Sequence, residues 1–457
     1  MKAKLLQKGH WTSEKYDNRK PIPLIVGFAV PLLIGGVFQQ VYNLVDVMIV
    51  GRYLGEQALA GVGSTGSLTF FMLSLVMGLC NGAGILVAQC FGVGNFYDMR
   101  RAVTSIIWIA GILTTVVILI GVFACPFFLR LLSVPEDVID YSVTYMRILL
   151  LFTGGSVAYN GASAVLRSLG DSKTPLTALI IASVINILLD LLLIVVIPLK
   201  VAGAAIATVI AQHVSAGYCL FYLYKKREEF GLVGILTKPD RDMTVKIFQI
   251  GVPTAFQSCL ISIGSMSVQR LINSFGTSVM AGYTAAAKID SIAIQVITSL
   301  GSALSVFTSQ NIGNRQFKRI REGLHCTLFM SIVSALIIAA TAMLCGQQLM
   351  RLFLGTDQSQ DAVTVGAQYL TVMGIAYLIC AVMQSYQNII RGAGDANTCM
   401  IAGFTELAGR ITFAYLLAPH LGEMGIWIAT PLSWGCGCVV PVFRYYSGKW
   451  KNKALVG

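Results

Sequence analysis

Apolar windows of about 20 residues, the length needed to cross a bilayer, recur twelve times along the chain. They fall near residues 24–50, 58–88, 102–124, 138–164, 174–197, 201–224, 247–274, 279–308, 323–345, 362–389, 398–418 and 424–443, with short polar stretches between them. This pattern predicts an all-α membrane fold of twelve transmembrane helices. An even number of crossings puts both termini on one side, and the basic residues indicate which side. Lys2, Lys4, Lys8, Lys15, Arg19 and Lys20 precede the first crossing, and Lys225, Lys226, Arg227, Lys238, Arg241 and Lys246 fill the middle of the chain. Arg315, Lys318, Arg319 and Arg321 follow the eighth crossing, and Arg444, Lys449, Lys451 and Lys453 close the chain. The alternate loops hold only Arg52, Arg130, Lys200 and Arg351. Positively charged loops stay in the cytoplasm, so both termini and the central loop are expected there, with the chain in the inner cell membrane.

The crossings form a repeat. Ala60-Gly61 matches Ala281-Gly282, Gln89 matches Gln310, Gly92 matches Gly313 and Arg130-Leu131 matches Arg351-Leu352, all at an offset of about 221. Further on, Arg167 through Gly170-Asp171 matches Arg391 through Gly394-Asp395, and Gly203 with Ala207-Thr208 matches Gly425 with Ala429-Thr430. The expected organisation is an N-terminal six-helix lobe over 1–224 with a polar tail at 1–21, a cytoplasmic linker over 225–246, and a C-terminal six-helix lobe over 247–457. Six crossings per lobe make the halves parallel, related by a pseudo-two-fold axis along the membrane normal, as in transporters built from repeats.

Composition narrows the function. The chain is 56% hydrophobic and 12% charged, with a mean hydropathy of +0.74, far from the make-up of a soluble enzyme. A net charge of +12 could point to nucleic acid, but the basic residues lie in alternate loops and not on one stacking face, so no nucleic-acid partner is expected. The 11 cysteines lack metal spacing and are read as reduced thiols. His10, His213, His325 and His420 are scattered, no phosphate-cradling loop is visible, and no catalytic residues are predicted. Residues 1–20 lack the apolar core of a cleaved signal peptide.

Inside this apolar background a few charges stand out. Gln39, Tyr42 and Asp46 are spaced i, i+3, i+7 and share one face of the first crossing. An acid at membrane depth usually faces a cavity or a partner and marks an ion or substrate pathway, although an acid locked by hydrogen bonds would look the same. Asn186 and Asp190 lie one turn apart in the fifth crossing, and Thr208 follows in the sixth. Asp46, Asn186, Asp190 and Thr208 together offer the oxygen ligands of a hard cation such as Na⁺. Two acids in a dry pocket can instead hold a proton, since desolvation and mutual repulsion disfavour the charged form. The repeat partners of Asp46, Asn186 and Asp190 are Ser267, Arg410 and Ala414, so this chemistry belongs to the first lobe.

The segment from Pro31 through Asp46 to Gly55, the Asn186-x-x-x-Asp190 pair, the R-x-x-G-D loops at 167 and 391 and the two six-helix lobes resemble the multidrug and toxin extrusion (MATE) family over residues 21–446. The resemblance implies a cation-coupled antiporter that exports amphipathic organic cations by alternating access. It needs no cofactor beyond the coupling ion, H⁺ or Na⁺, and its partners are small molecules and the lipid bilayer. By the same resemblance Asp46, Asn186, Asp190 and Thr208 bind the ion, and Gln39, Tyr42 and Asn160 line the substrate cavity. One branch of the family carries an acid in the seventh crossing; here Phe256, Gln257 and Ser258 stand there, which favours the branch with coupling acids in the N-terminal lobe.

The second lobe has charges of its own: Lys288 and Asp290 in the eighth crossing and Glu406 and Arg410, spaced i, i+4, in the eleventh. They are expected either to neutralise one another or to let Asp290 and Glu406 attract a cationic substrate, with Met266, Met280 and Phe307 as adaptable walls. Pro31 with Gly35-Gly36 gives the first crossing a place to bend. The alternative function is a flippase for a lipid-linked sugar or peptide precursor, which would need a strongly cationic cavity. The chain is expected to act as a monomer and not as an enzyme.

Overall fold

A computed structural model describes residues 20–131, 134–234, 238–354 and 360–456. The basic tail residues Lys2, Lys4, Lys8, Lys15 and Arg19 lie outside them, as does most of the predicted tail at 1–21. The described chain is helical throughout: α1 (Pro21–Val93), α2 (Phe96–Leu131), α3 (Glu136–Leu151), α4 (Gly154–Ser168), α5 (Lys173–Asp190) and α6 (Lys200–Lys225), then α7 (Arg241–Asn273), α8 (Thr277–Ile312), α9 (Phe317–Leu354), α10 (Gln360–Gly392), α11 (Ala396–Leu421) and α12 (Glu423–Tyr446). A π-helical turn, Leu191–Val196, extends α5, and a 3₁₀ turn, Lys449–Asn452, follows α12.

One predicted loop is replaced by a break, and one predicted crossing is itself broken. The first and second crossings both lie within α1, interrupted only at Gly55, where φ is 84° and ψ is −178°. That conformation is open to glycine and strained for other residues, so the chain turns without leaving the helix ladder. The fourth crossing is α3 and α4 together, bent by 51°. Ten described helices are long and apolar enough to span a membrane, and the bent pair makes eleven. Counting α1 as two segments about Gly55 gives the twelve crossings of the hydropathy pattern.

The chain packs as two units. One comprises Ile34–Ala255; the other takes the segment ending at Leu33 together with Phe256 onward. The start of α1 therefore belongs with the C-terminal helices, and its Ile25, Phe28 and Ala29 pack in one core with Phe307, Ile389 and Trp450. Beyond Leu33 the same helix joins the first unit, where Ile49, Val50, Ala58 and Val62 pack with Tyr145, Ile194 and Val201. Residues of the 225–246 stretch are folded onto α2 and not suspended. Phe230 and Leu232 are buried, Arg100 donates to the Val233 carbonyl at 2.6 Å, and Arg101 bridges Asp98 at 2.6 Å and Asp240 at 2.7 Å. The Met243 backbone N–H and Arg101 together hold the Asp240 carboxyl below the usual carboxylate range.

Matched small residues make the same close helix contacts in both units. A Cβ on Gly61 would lie 2.7 Å from Tyr141 Cβ, and one on Gly282 would lie 2.5 Å from the Ala362 carbonyl oxygen; Tyr141 and Ala362 are themselves repeat partners. A Cβ on Gly203 would meet the Leu193 carbonyl oxygen at 2.7 Å, and one on Gly425 the Leu417 carbonyl oxygen at 2.5 Å. In membranes small residues let helix backbones approach and replace the hydrophobic drive that packs soluble helices. The repeated Asp does different work in each half. Asp171 accepts the Lys173 and Thr174 backbone N–H groups at 3.0 Å each, opening α5, whereas Asp395 pairs with Arg444 at 2.6 Å. Gly61→Leu and Gly282→Leu are each expected to cost about 1–3 kcal/mol by overpacking; a melting temperature equal to wild type, read by thermal denaturation in detergent, would contradict these contacts.

Candidate functional site

The predicted first-lobe residues split by position. Asp46 in α1, Asn186 and Asp190 in α5 and Thr208 in α6 are buried, with exposures of 8%, 0%, 0% and 7%. Oriented to satisfy both of its ends, the Asn186 amide donates to Asp190 Oδ2 at 3.0 Å and accepts the Thr208 backbone N–H at 3.2 Å. The carboxyl groups of Asp46 and Asp190 come within hydrogen-bonding reach of each other. Two carboxylates that close repel, so a positive charge must be shared between them. Asp46 Oδ1, Asp190 Oδ1 and Thr208 Oγ1 are buried with no hydrogen-bond partner of good geometry. Three such oxygens suit either a proton or a hard cation.

Local sequence explains the arrangement. The i, i+4 spacing of Asn186 and Asp190 aims both down one face of α5, and the π-helical turn begins at the residue after Asp190, a widening common at functional sites. The Leu193 carbonyl in that turn meets Gly203 of α6, which brings Thr208 one and a half turns further on to Asn186. The half-buried Tyr42 and the buried Tyr145 of α3 both lie beside Asp46, Asp190 and Thr208. Nothing near Tyr145 in the sequence marks it as a neighbour of the two acids. Gln39 is exposed, and Asn160 donates to the Ser156 carbonyl of its own helix at 2.8 Å; no hydrogen bond links either to the acids. Among the described residues no three His, Cys, Asp or Glu gather as a metal site, so a bound Na⁺ would draw on the amide and hydroxyl oxygens too.

The second unit holds a cavity of about 320 Å³ among α7, α8, α10, α11 and α12. Asp290 and Glu406 both line it, together with Arg410. Arg410 donates to Glu406 at 2.8 Å. The pair fits because a Cβ on Gly264 would lie only 3.3 Å from Arg410 Cδ and one on Gly437 only 3.2 Å from Glu406 Cβ. Asp290 is not part of that pair: the Tyr369 hydroxyl donates to its Oδ2 at 3.3 Å and the Tyr377 hydroxyl to its Oδ1. Lys288 is exposed and makes no ion pair among the described residues, so the expected four-charge network is one ion pair plus a tyrosine-held acid. Residues two apart point to different sides of a helix, which separates Lys288 from Asp290. Met266 and Met280 are exposed and Phe307 is buried in another core; the cavity's methionines are Met373 and Met383. With two acids and one guanidinium the cavity has the wrong sign for the pyrophosphate of a lipid-linked precursor.

Comparison with known proteins agrees with this picture. The MatE family profile matches residues 31–192 and 253–416, and the lipid II flippase MurJ profile matches the shorter stretch 146–270. The chain is 28% identical to the probable multidrug resistance protein YoeA of Bacillus subtilis, over 94% of each sequence. It is 24% identical to the probable multidrug resistance protein NorM of Thermotoga maritima, over 97% of each. A solved outward-facing multidrug resistance MATE family transporter of the MOP superfamily superposes with a TM-score of 0.87 at 23% identity, over 98% of each chain.

Removing one of two buried acids relieves a desolvation cost, and Asn can donate where Asp repels. Asp46→Asn is therefore expected to melt higher than wild type, whereas Asn186→Ala, which strands an Asp190 oxygen, should melt lower by about 1–3 kcal/mol. A lower melting temperature for Asp46→Asn would identify Asp46 as a structural clamp.

Proposed function

The chain belongs to the MatE family of multi-pass membrane transporters, and from that premise we propose that it is a secondary active multidrug exporter, expelling amphipathic organic cations in exchange for H⁺ or Na⁺. The observation that carries the reading is the buried Asp46–Asp190 pair with its unpartnered oxygens, beside Asn186 and Thr208, in a scaffold otherwise built of apolar helices. A site that must hold one positive charge can bind an ion on one side of the membrane and release it on the other. In this reading Asp46, Asn186, Asp190 and Thr208 hold the coupling ion, and no other cofactor takes part. Tyr42, Gln39 and Asn160 face the first-lobe substrate path, and Asp290 and Glu406 serve the substrate in the second. The names of the relatives, multidrug resistance proteins at 28% and 24% identity, support the substrate class.

The placement of the basic loops supports cytoplasmic termini in the inner membrane, and two complete repeats in one chain support a working monomer. Pro31 and Gly35-Gly36 flank the point at which α1 passes from one packing unit to the other. A bend there would let occupancy of Asp46 alter the substrate path. Alternating access between the lobes then completes the cycle.

The test is ethidium transport in proteoliposomes of the purified chain, driven separately by a pH gradient and by a Na⁺ gradient. Dye movement under one gradient and its loss in Asp46→Asn are expected, and the effective gradient names the ion. Wild type that moves no dye under either gradient would end the drug-exporter reading; normal transport by Asp46→Asn would move the coupling site elsewhere. Pro31→Ala should slow turnover without weakening dye binding, and an unchanged rate would dispose of the bend.

A further inference from the structure

We propose that the cavity of the second unit is a pocket for a compact aromatic cation of single charge, and that the Arg410–Glu406 pair sets that limit. The inference rests on the exporter reading and names the ligand class of one of its sites.

Aromatic rings build the wall. Tyr283 stacks on Trp427 with centroids 5.5 Å apart, Tyr369 meets both edge-on at 5.3 and 5.0 Å, and Tyr377 lies 6.4 Å from Trp434. Aromatic faces attract cations, most strongly where water is excluded. The charge count then decides which cations. Both Asp290 oxygens lie in hydrogen-bonding contact with a phenolic hydroxyl, and O–H groups that donate to a carboxyl stabilise its charged form. The guanidinium that could balance it is already engaged with Glu406 at 2.8 Å. Among the described residues Asp290, Glu406 and Arg410 are the only charged ones lining the cavity, so with all three ionised it carries one net negative charge.

In a partly buried pocket a charge mismatch is costly, since Coulomb terms grow as the effective dielectric falls. A monocation leaves the pocket neutral, a dication leaves it positive, and a neutral molecule leaves Asp290 unmatched. The volume, about 320 Å³, lies at the small end of the range for drug-sized ligands and suits a two-ring molecule. Arg410 on this account never touches the cationic group; it cancels Glu406 and so keeps the pocket from accepting a second charge.

Three near-isosteric probes separate charge from shape: 4-phenylpyridine at a pH where it is neutral, the monocation 1-methyl-4-phenylpyridinium, and the dication methyl viologen. Each is titrated calorimetrically into the purified full chain. Wild type should bind the monocation about tenfold or more tighter than either of the others. Arg410→Gln, with two net negative charges, should shift the preference about tenfold toward the dication; Glu406→Gln and Asp290→Asn, both leaving the pocket neutral, should lose the monocation preference. Each variant is first checked for wild-type elution and a cooperative melt, and should Arg410→Gln fail that check, Glu406→Gln carries the same test with opposite sign. Equal binding of the three probes by wild type, or a preference that does not follow the pocket charge, overturns the proposal. Failed binding with intact ethidium transport removes this pocket and leaves the exporter; intact binding with failed transport does the reverse.

Discussion

Two carboxyl groups facing each other out of water impose the constraint that the first unit is built to meet. An isolated ionised carboxylate in a medium of low dielectric is prohibitively costly, and two of them side by side are worse. The helices around Asp46 and Asp190 answer with neutral groups alone, the Asn186 amide and the hydroxyls of Thr208, Tyr42 and Tyr145, set among apolar side chains. Ile49 and Val50, just past Asp46, and Ile194, one turn past Asp190, share one core with Val201. Among the described residues no protein cation balances this pair, so a balancing charge would have to come as a proton or cation from outside the helices. That requirement links the occupancy of the site to whatever arrangement of α1, α5 and α6 admits the ion.

Much of this was legible in the sequence, for reasons that can be named. Asp46 and Asp190 announce themselves because an acid inside an apolar window is expensive, and Asn186 because i, i+4 spacing survives any tertiary context. Glu406 and Arg410 were readable by the same spacing. The repeat showed through its glycines, since close backbone contacts fix both their identity and their interval. What could not be read depends on contacts distant in sequence. Tyr145 reaches the acids from α3, and Tyr369 and Tyr377 reach Asp290 from α10, with nothing local to reveal it. Gly55 looked like part of a loop because glycine ends helices more often than it joins two of them. The start of α1 changes packing partners because of Ile389 and Trp450, far along the chain.

The two units show how one scaffold takes on separate tasks without altering its packing. Gly203 and Gly425 meet the preceding helix end in the same way, and Gly61 and Gly282 seat the same neighbouring helix. Between those fixed points the polar residues differ: Arg410 occupies the register of Asn186, and Ala414 that of Asp190. An amide that supports a pair of acids in one unit is thus a guanidinium that cancels one acid in the other. Specialisation of the halves lies in side chains that face inward between conserved helix crossings.

The core that unites Ile25, Phe28 and Ala29 with Trp450 has a consequence for biogenesis. These residues lie more than four hundred positions apart. At synthesis rates of about 5–20 residues per second, the opening turns of α1 wait on the order of half a minute or longer for their final partner. During that interval the start of α1 is inserted but incompletely packed, open to the membrane's chaperones and proteases. The seating of Trp450 against it completes this core of the second unit, so a chain cut short before Trp450 has a first helix that lacks part of its packing.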